Sequence, residues 1–476
     1  GSSRSSVDDM STQPKRTHLY LSVAILNILY LICGTTFVWS SPVLMKVTLT
    51  DAEGSTVASM LSLGSVLGPF VSGAVLDPLG RKYTMGLAMV METASYLTLT
   101  LGSGVILLSV GRFLGGVACG MVFSALPLYI AEISEDSVRG FLNTLNQISV
   151  NFGSLLMYSL GPFLSYANLH YIMVGICFSF FLLFPLLPHS PYSLVMDNKV
   201  SEARDTLLWL REDKAASHIE RELQVIQETL QESKAQSGSV RELFTSRGNR
   251  RALTICTTLL VFQQITGISV LVFYTEKIFQ MTGSNLSSSI CSIIIGVIFL
   301  VTSFITPVAV RHLGYKKPLL VAATGMGVGM GGLGIFFLLK SNHFEVDSLN
   351  WMPLLSVIVY GLFYNAGFAN IPWALTGELF PGNIKPVATT FIASTCGLFA
   401  FFTTKLFPNL IALMGIEFLF MACSFFCGVA VVFVAFMVQD TSGLSFVEIQ
   451  EILNGGKRRH ISVKQFGLSD VKYDQA

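Results

Sequence analysis

Charge is scarce in this chain. Asp, Glu, Lys and Arg make up 12% of its 476 residues, against about 25% in an ordinary soluble domain, while 52% of residues are hydrophobic and the mean hydropathy is +0.62. So few charges cannot clothe a water-facing surface, and the expected solvent for most of the chain is lipid. Net charge is nearly absent as well, at a formal +1, which removes any bulk electrostatic argument for a nucleic-acid or polyanion partner. There is no CxxC pair and no histidine cluster. The eight cysteines, Cys33, Cys119, Cys177, Cys256, Cys291, Cys396, Cys423 and Cys427, each fall inside an apolar segment, and read as small hydrophobes rather than disulfides or metal ligands. The glycines Gly325, Gly327, Gly329, Gly331, Gly332 and Gly334 lack a preceding strand and have apolar neighbours, so they read as close helix packing rather than a nucleotide loop. With no nucleophile–base pair, metal set or phosphate loop, no enzyme and no cofactor is expected.

What the chain has is long apolar runs. A transmembrane helix needs roughly 20 mostly apolar residues. Runs of that kind begin near Leu19, Thr56, Tyr83, Val105, Leu145 and His170, and again near Leu253, Ser289, Pro318, Pro353, Val387 and Ile416. The expectation is an all-α membrane protein with twelve transmembrane helices in two six-helix bundles. The boundaries read as an N-terminal tail (1–18), a first bundle (19–189), a helical linker (190–252), a second bundle (253–439) and a C-terminal tail (440–476). Within the linker, Ile219, Leu223, Ile226 and Leu230 recur at helical spacing, and Ser239 with Glu242 forms an S-x-x-E capping box before Leu243 and Phe244. Two or three short amphipathic helices are expected there, lying on the protein's own inner face.

Basic residues set the orientation. Lys15, Arg16, Arg81, Lys82, Arg139, the linker, Arg311, Lys316, Lys317, Lys385, Lys457, Arg458 and Arg459 fall on one side, and only Lys46, Lys277, Lys340 and Lys405 approach the other. By the positive-inside rule both termini are expected to be cytoplasmic. The sequon at Asn285 then falls in an external loop, a candidate glycosylation site. The opening GSSRSS has no initiator methionine and reads as a fusion scar or truncated start; no cleavable signal precedes the first span, which is expected to serve as the insertion signal.

The halves repeat. Asp77-Pro78-Leu79-Gly80-Arg81-Lys82 after the second span is echoed by His312-Leu313-Gly314-Tyr315-Lys316-Lys317 after the eighth. Glu132 and Arg139 after the fourth are echoed by Glu378 and Lys385 after the tenth. A duplicated six-helix unit places a ligand between the halves near the midplane. The Gly80-Arg81-Lys82 turn, the Gly111-Arg112 to Tyr129-Ile130-Ala131-Glu132 to Arg139-Gly140 stretch, Gln263-Gln264-Ile265-Thr266-Gly267-Ile268, Ile371-Pro372-Trp373 and Gly377-Glu378-Leu379-Phe380 together resemble the signatures of the sugar-porter branch of the major facilitator transporters, in family order. Thr35 to Pro42 looks most like insect facilitated trehalose transporters and the intracellular-type animal glucose transporters.

A sugar offers many hydroxyls and two fairly apolar ring faces, so its site needs amides and an aromatic floor without a full charge. Gln147, Gln263, Gln264 and Trp373 are of that kind, and the resemblance puts them at the family's sugar-coordinating positions, with Tyr274 further along the seventh helix. The competing reading is that membrane glutamines are interhelical glue. The chain also departs from the family pattern: Ser269 and Phe299 stand where Asn is expected, and Cys396-Gly397 where an Asn-Trp pair is expected. Space at Gly397 would then admit a larger or less polar ligand.

The resemblance also implies a cytoplasmic gate of charged residues, Asp77, Arg81, Glu132 and Arg139 in one half and Lys316, Glu378, Lys385 and Asp440 in the other, whose pairs break on rocking. The alternative is static solvated pairs worth about 0–1 kcal/mol each. The gate is eroded: Pro188-His189-Ser190-Pro191-Tyr192 and Gln439-Asp440-Thr441-Ser442-Gly443 replace more charged family strings, and Arg311 stands where an acid is expected. Proton-coupled relatives look to carry an acid at Ser40, and serine does not titrate usefully. Glu92 is the one intramembrane carboxylate left as a proton site, with a structural hydrogen bond as the other reading. The expected function is facilitative transport of a hexose or trehalose by alternating access, in the plasma membrane, by a monomer whose partners are the sugar and the bilayer. The alternatives are a proton-coupled sugar or polyol symporter and a non-transporting sensor.

Overall fold

The computed structural model of the chain describes residues 15–102, 104–235, 238–441, 444 and 446–455. The opening GSSRSS, Ser442, Gly443, Lys457, Arg458 and Arg459 lie outside the described residues. Among those described, every regular element is helical.

Ten helical stretches are long and apolar enough to cross a bilayer, and two details turn ten into twelve. Asp51–Leu101 is one run of 51 residues, about 76 Å at 1.5 Å per residue, far more than the roughly 30 Å of a hydrocarbon core. Gly80, at φ 77° and ψ 168°, breaks it, giving span two (51–79) and span three (81–101). A positive φ there favours a residue without Cβ. Asp136–Leu160 is the second detail: it is as long as its neighbours, but Asn146, Gln147 and Asn151 dilute its apolar character. It packs against spans one and eight as span five.

The remaining spans are one (Thr17–Val43), four (Val105–Ile133), six (Tyr166–Leu186), seven (Arg247–Thr282), eight (Ser288–Leu313), nine (Lys316–Ser341), ten (Asp347–Leu379), eleven (Lys385–Met414) and twelve (Ile416–Met437). Their buried residues form two large apolar cores, one mainly of spans one to six and one mainly of spans seven to twelve, which Ala58 and Leu61 of span two join. In span nine the glycine run does what its composition suggests. A Cβ at Gly329 would lie 2.7 Å from the Ser356 carbonyl oxygen of span ten, and one at Gly334 2.9 Å from Met421 Cγ of span twelve.

The linker folds into helices Pro191–Met196, Val200–Leu210, Ala216–Ala235 and Val240–Thr245. Leu194, Ala203, Leu207, Ile219, Leu223 and Ile226 make its own small core. Arg211 fixes it to the first half, donating to the Ile133 carbonyl (2.7 Å) while holding Glu222 (2.8 Å). The expected capping box at Ser239 is not formed in that way, since its side chain accepts from Arg241 N rather than from Glu242. A complete box caps span two instead, between Thr50 and Glu53.

Candidate functional site

A cavity of about 490 Å³ lies between the two halves. Its walls carry Asn146, Gln147 and Asn151 from span five and Gln263 and Gln264 from span seven, with rings from Phe37, Phe123, Phe273, Phe299, Tyr364 and Trp373. No Asp, Glu, Lys, Arg or His is among the described lining residues.

Backbone breaks present the second wall. Gly267 sits at φ 110° and divides span seven into Arg247–Ile265 and Ile268–Thr282. A Cβ there would come within 2.7 Å of Met330 Cε, so conformation and packing both demand glycine. The break ends the linker-side helix just beyond Gln263 and Gln264, as discontinuous helices do at transporter sites. Span ten relaxes beside it into a π-helical turn, Tyr364–Phe368. Gln263 Nε2 donates to the Phe368 carbonyl (2.7 Å), Gln264 Nε2 donates to Gln263 Oε1 (3.2 Å) and Cys396 Sγ (3.3 Å), and Ser269 Oγ donates to Gln264 Oε1 (2.5 Å). The glutamine pair is thereby held in one orientation.

Across the cavity, Gln147 Nε2 donates to Asn151 Oδ1 (3.3 Å), and Asn151 Nδ2 crosses between the halves to the Phe299 carbonyl (3.1 Å). Asn146 Oδ1 has no partner. Asn146 and Asn151 escaped the motif comparison. The polar face of span five was the available signal.

Most of the expected binding residues meet here: Gln147, Gln263, Gln264, Ser269, Phe299, Trp373, Cys396 and Gly397 all line the cavity. Two expectations need correction. Tyr274 turns away, its hydroxyl donating to the Thr404 carbonyl (3.1 Å) and its ring stacked on Phe407 at 4.7 Å. Gly397 is not open room, because a Cβ there would lie 3.0 Å from both Ser65 Oγ and Val66 Cγ2. It lets span eleven press against span two, where Ser394 Oγ also donates to the Val66 carbonyl (3.2 Å).

Bonds between the halves gather at mid-depth and at the ends away from the linker. Ser40 Oγ donates to the Phe273 carbonyl (3.0 Å), Glu276 N to Ser41 Oγ (3.1 Å), and Lys277 Nζ meets Asp51 at 2.6 Å. Arg112 lies fully buried beneath this closure, 5.1 Å from the Trp39 ring and 5.9 Å from that of Phe273. The cavity lining instead reaches Pro127, Trp373 and Thr389, within two turns of the linker-side helix ends. The cavity is therefore closed at the end away from the linker and open toward it.

At the linker-side ends the gate candidates pair within their own halves. Arg81 grips Glu132 through Nε (2.9 Å) and Nη2 (2.9 Å) and reaches Asp77 (3.2 Å). Ser190, from the segment that had read as erosion, donates its hydroxyl to the same Glu132. Arg139 pairs with Asp136 (2.8 Å) rather than with Glu132. In the second half Glu378 accepts from the Tyr315 hydroxyl, which burial and then this carboxylate push above the ordinary phenol range. Lys316 Nζ donates to the Ala435 carbonyl (2.9 Å), not to an acid. Asp440 accepts from Tyr315 N (3.4 Å), and Lys385 lies within electrostatic reach of Glu378. Asn285 is exposed in the connection between spans seven and eight. Glu92 is fully buried within the first half, beside Thr36, Cys33 and Cys119.

Two six-helix halves around an uncharged, amide-lined cavity closed on one side define a membrane solute transporter that works by alternating access. The chain belongs to the sugar (and other) transporter family, whose family model matches residues 16–453. The facilitated trehalose transporter Tret1 of Bombyx mori is 33% identical over 417 residues, covering 87% of this chain and 82% of that protein. Its Anopheles gambiae counterpart is 31% identical over 442 residues, 91% of this chain but 56% of that longer protein. Among solved structures, the inward-open xylose transporter XylE from E. coli matches with a TM-score of 0.75 at 20% identity, over 91% of this chain and 99% of that one. That last likeness is one of fold. The chain is a multi-pass membrane transporter and not an enzyme.

Proposed function

We propose that this protein carries a neutral sugar down its gradient, by rocking of the two halves about the central cavity. The observation supporting this most is a lining that pairs amides with aromatic rings and contains no Asp, Glu, Lys, Arg or His among the described residues. A neutral polyol needs paired donors and acceptors and a ring face, and a full charge would cost desolvation. Gln147, Asn146, Gln263 and Gln264 hold hydroxyls, Trp373 offers a face at the linker-side mouth, and Ser269, Phe299 and Cys396 shape the far wall. The volume falls in the roughly 300–1,000 Å³ range of small-ligand sites, and the similarity to insect facilitated trehalose transporters favours trehalose or a hexose.

The mode is uniport. Ser40 stands where a coupling acid would be and spends its hydroxyl on the outer closure. The linker side is cytoplasmic, the membrane is the plasma membrane, the monomer is the working unit and Asn285 carries a glycan. Arg81–Glu132 and Tyr315–Glu378 sit at the inner gate and change partners when it closes. Labelled trehalose, glucose, a polyol and a sugar phosphate offered to proteoliposomes test this reading. Saturable entry of a neutral sugar with exclusion of the phosphate supports it; entry of none of the neutral solutes contradicts it and favours a sensor.

A further inference from the structure

Cys33 on span one, Glu92 on span three and Cys119 on span four meet in one buried knot. Their donor atoms all lie within 4.8 Å of one another, with Glu92 Oε1 3.2 Å from Cys119 Sγ and 3.9 Å from Cys33 Sγ. All three are 0–1% exposed. Around a tetrahedral zinc, with Zn–S of about 2.3 Å and Zn–O of about 2.1 Å, the S···O edge is about 3.6 Å and the S···S edge about 3.8 Å. The donors already stand close to these spacings. The Thr36 hydroxyl lies 3.2 Å from Glu92 Oε2 and helps hold the carboxylate.

Charge supplies a second, independent argument. Two thiolates and a carboxylate carry three negative charges, and a divalent cation cancels two. Arg112 on span four cancels the third: it is fully buried, its Nε and Nη2 have no partner, and it lies within electrostatic reach of both Glu92 and Cys119. The loaded knot is neutral, as membrane burial requires. Cys119 also lines the cavity, which gives a cation a path inward and gives the two displaced thiol protons a path out to water. All three side chains come from the first half, on spans one, three and four.

We propose that Cys33, Glu92 and Cys119 bind one soft or borderline divalent cation of the zinc or cadmium class, and that its binding slows transport by clamping span one to spans three and four. Two sulfur donors select such ions over magnesium or calcium. The clamp acts through span one, which carries the cavity residues Phe37 and Val38 and the closure residues Ser40 and Ser41.

The test titrates the full-length purified protein with cadmium, following the ultraviolet thiolate-to-cadmium charge-transfer band, and measures sugar uptake into proteoliposomes at buffered free zinc. One equivalent is expected to bind, unaffected by excess magnesium. Cys33→Ser, Glu92→Gln and the Cys33→Ser/Cys119→Ser double variant should each bind about tenfold or more weakly, while Cys291→Ser should match wild type. Zinc should slow wild-type uptake reversibly and leave Cys33→Ser closer to its own metal-free rate. Should the double variant fail to fold, Cys33→Ser and Glu92→Gln carry the test. Stoichiometric cadmium binding undiminished in Cys33→Ser, absence of the band in wild type, or equal zinc inhibition in both proteins overturns the proposal.

Discussion

Tyr315 donates its hydroxyl proton to Glu378 at the place where, one half earlier, Arg81 grips Glu132. Leu79-Gly80-Arg81-Lys82 and Leu313-Gly314-Tyr315-Lys316 lie in register, and both glycines hold a positive φ, 77° and 75°. The repeat is therefore kept in backbone and broken in charge. The first half carries a buried, bidentate ion pair, and the second a phenol–carboxylate hydrogen bond.

Removing each partner should expose that inequality. Arg81→Gln leaves Glu132 buried without its cation and should cost roughly 3–5 kcal/mol. Tyr315→Phe leaves Glu378 partly open to water and should cost about 0.5–1.5 kcal/mol. Thermal unfolding of the two variants in one detergent measures the difference, and equal shifts would contradict the assigned asymmetry.

The amide wall should govern affinity. Gln147→Ala and Gln264→Ala each remove a donor and acceptor from the cavity and should weaken apparent sugar affinity by roughly 1–3 kcal/mol. Asn146→Ala, which deletes the unpartnered Oδ1, should also weaken it while sparing the Gln263–Gln264 network. Half-saturation concentrations of uptake measure all three; unchanged values for both glutamine variants would remove the assigned site.

Gly397→Trp should act on the conformational equilibrium. An indole cannot fit where a Cβ already meets Ser65 and Val66 at 3.0 Å, so spans two and eleven must part and the outward closure must weaken. A cysteine introduced at Ser41 should then react faster with a membrane-impermeant thiol reagent added outside, and transport should fall. Unaltered labelling with narrowed sugar selectivity would show that the side chain fills the cavity instead.

Much of this was legible in the chain because lipid imposes strict patterning. The apolar runs marked the spans, span five among them, although Asn146, Gln147 and Asn151 leave it more polar than its neighbours. The Gln-Gln-Ile-Thr-Gly string carried the glutamines of the site, while the break at its glycine was visible only in the structure. The misses share a cause: a sequence gives spacing along a helix but not which neighbour it faces. Tyr274 shares a span with Gln264, yet a local departure from helical geometry at its own φ of −123° accompanies its packing on Phe407. Gly397 read as room because the pressure of span two lies 328 residues away in the chain, between Ser394 and Val66. Cys33 and Cys119 are free and buried, and that Glu92 joins them in space is likewise not carried by spacing along the chain.

The central claim is facilitated sugar movement through the amide-lined cavity without proton coupling. Its most direct test is net uptake of labelled trehalose and glucose into proteoliposomes that hold no sugar inside, with and without an imposed pH gradient and a protonophore. Equilibration of at least one sugar, without accumulation and with a rate indifferent to the gradient, is the predicted result. Accumulation above equilibrium that the protonophore abolishes would contradict it, and would make Glu92 the carboxyl to replace first.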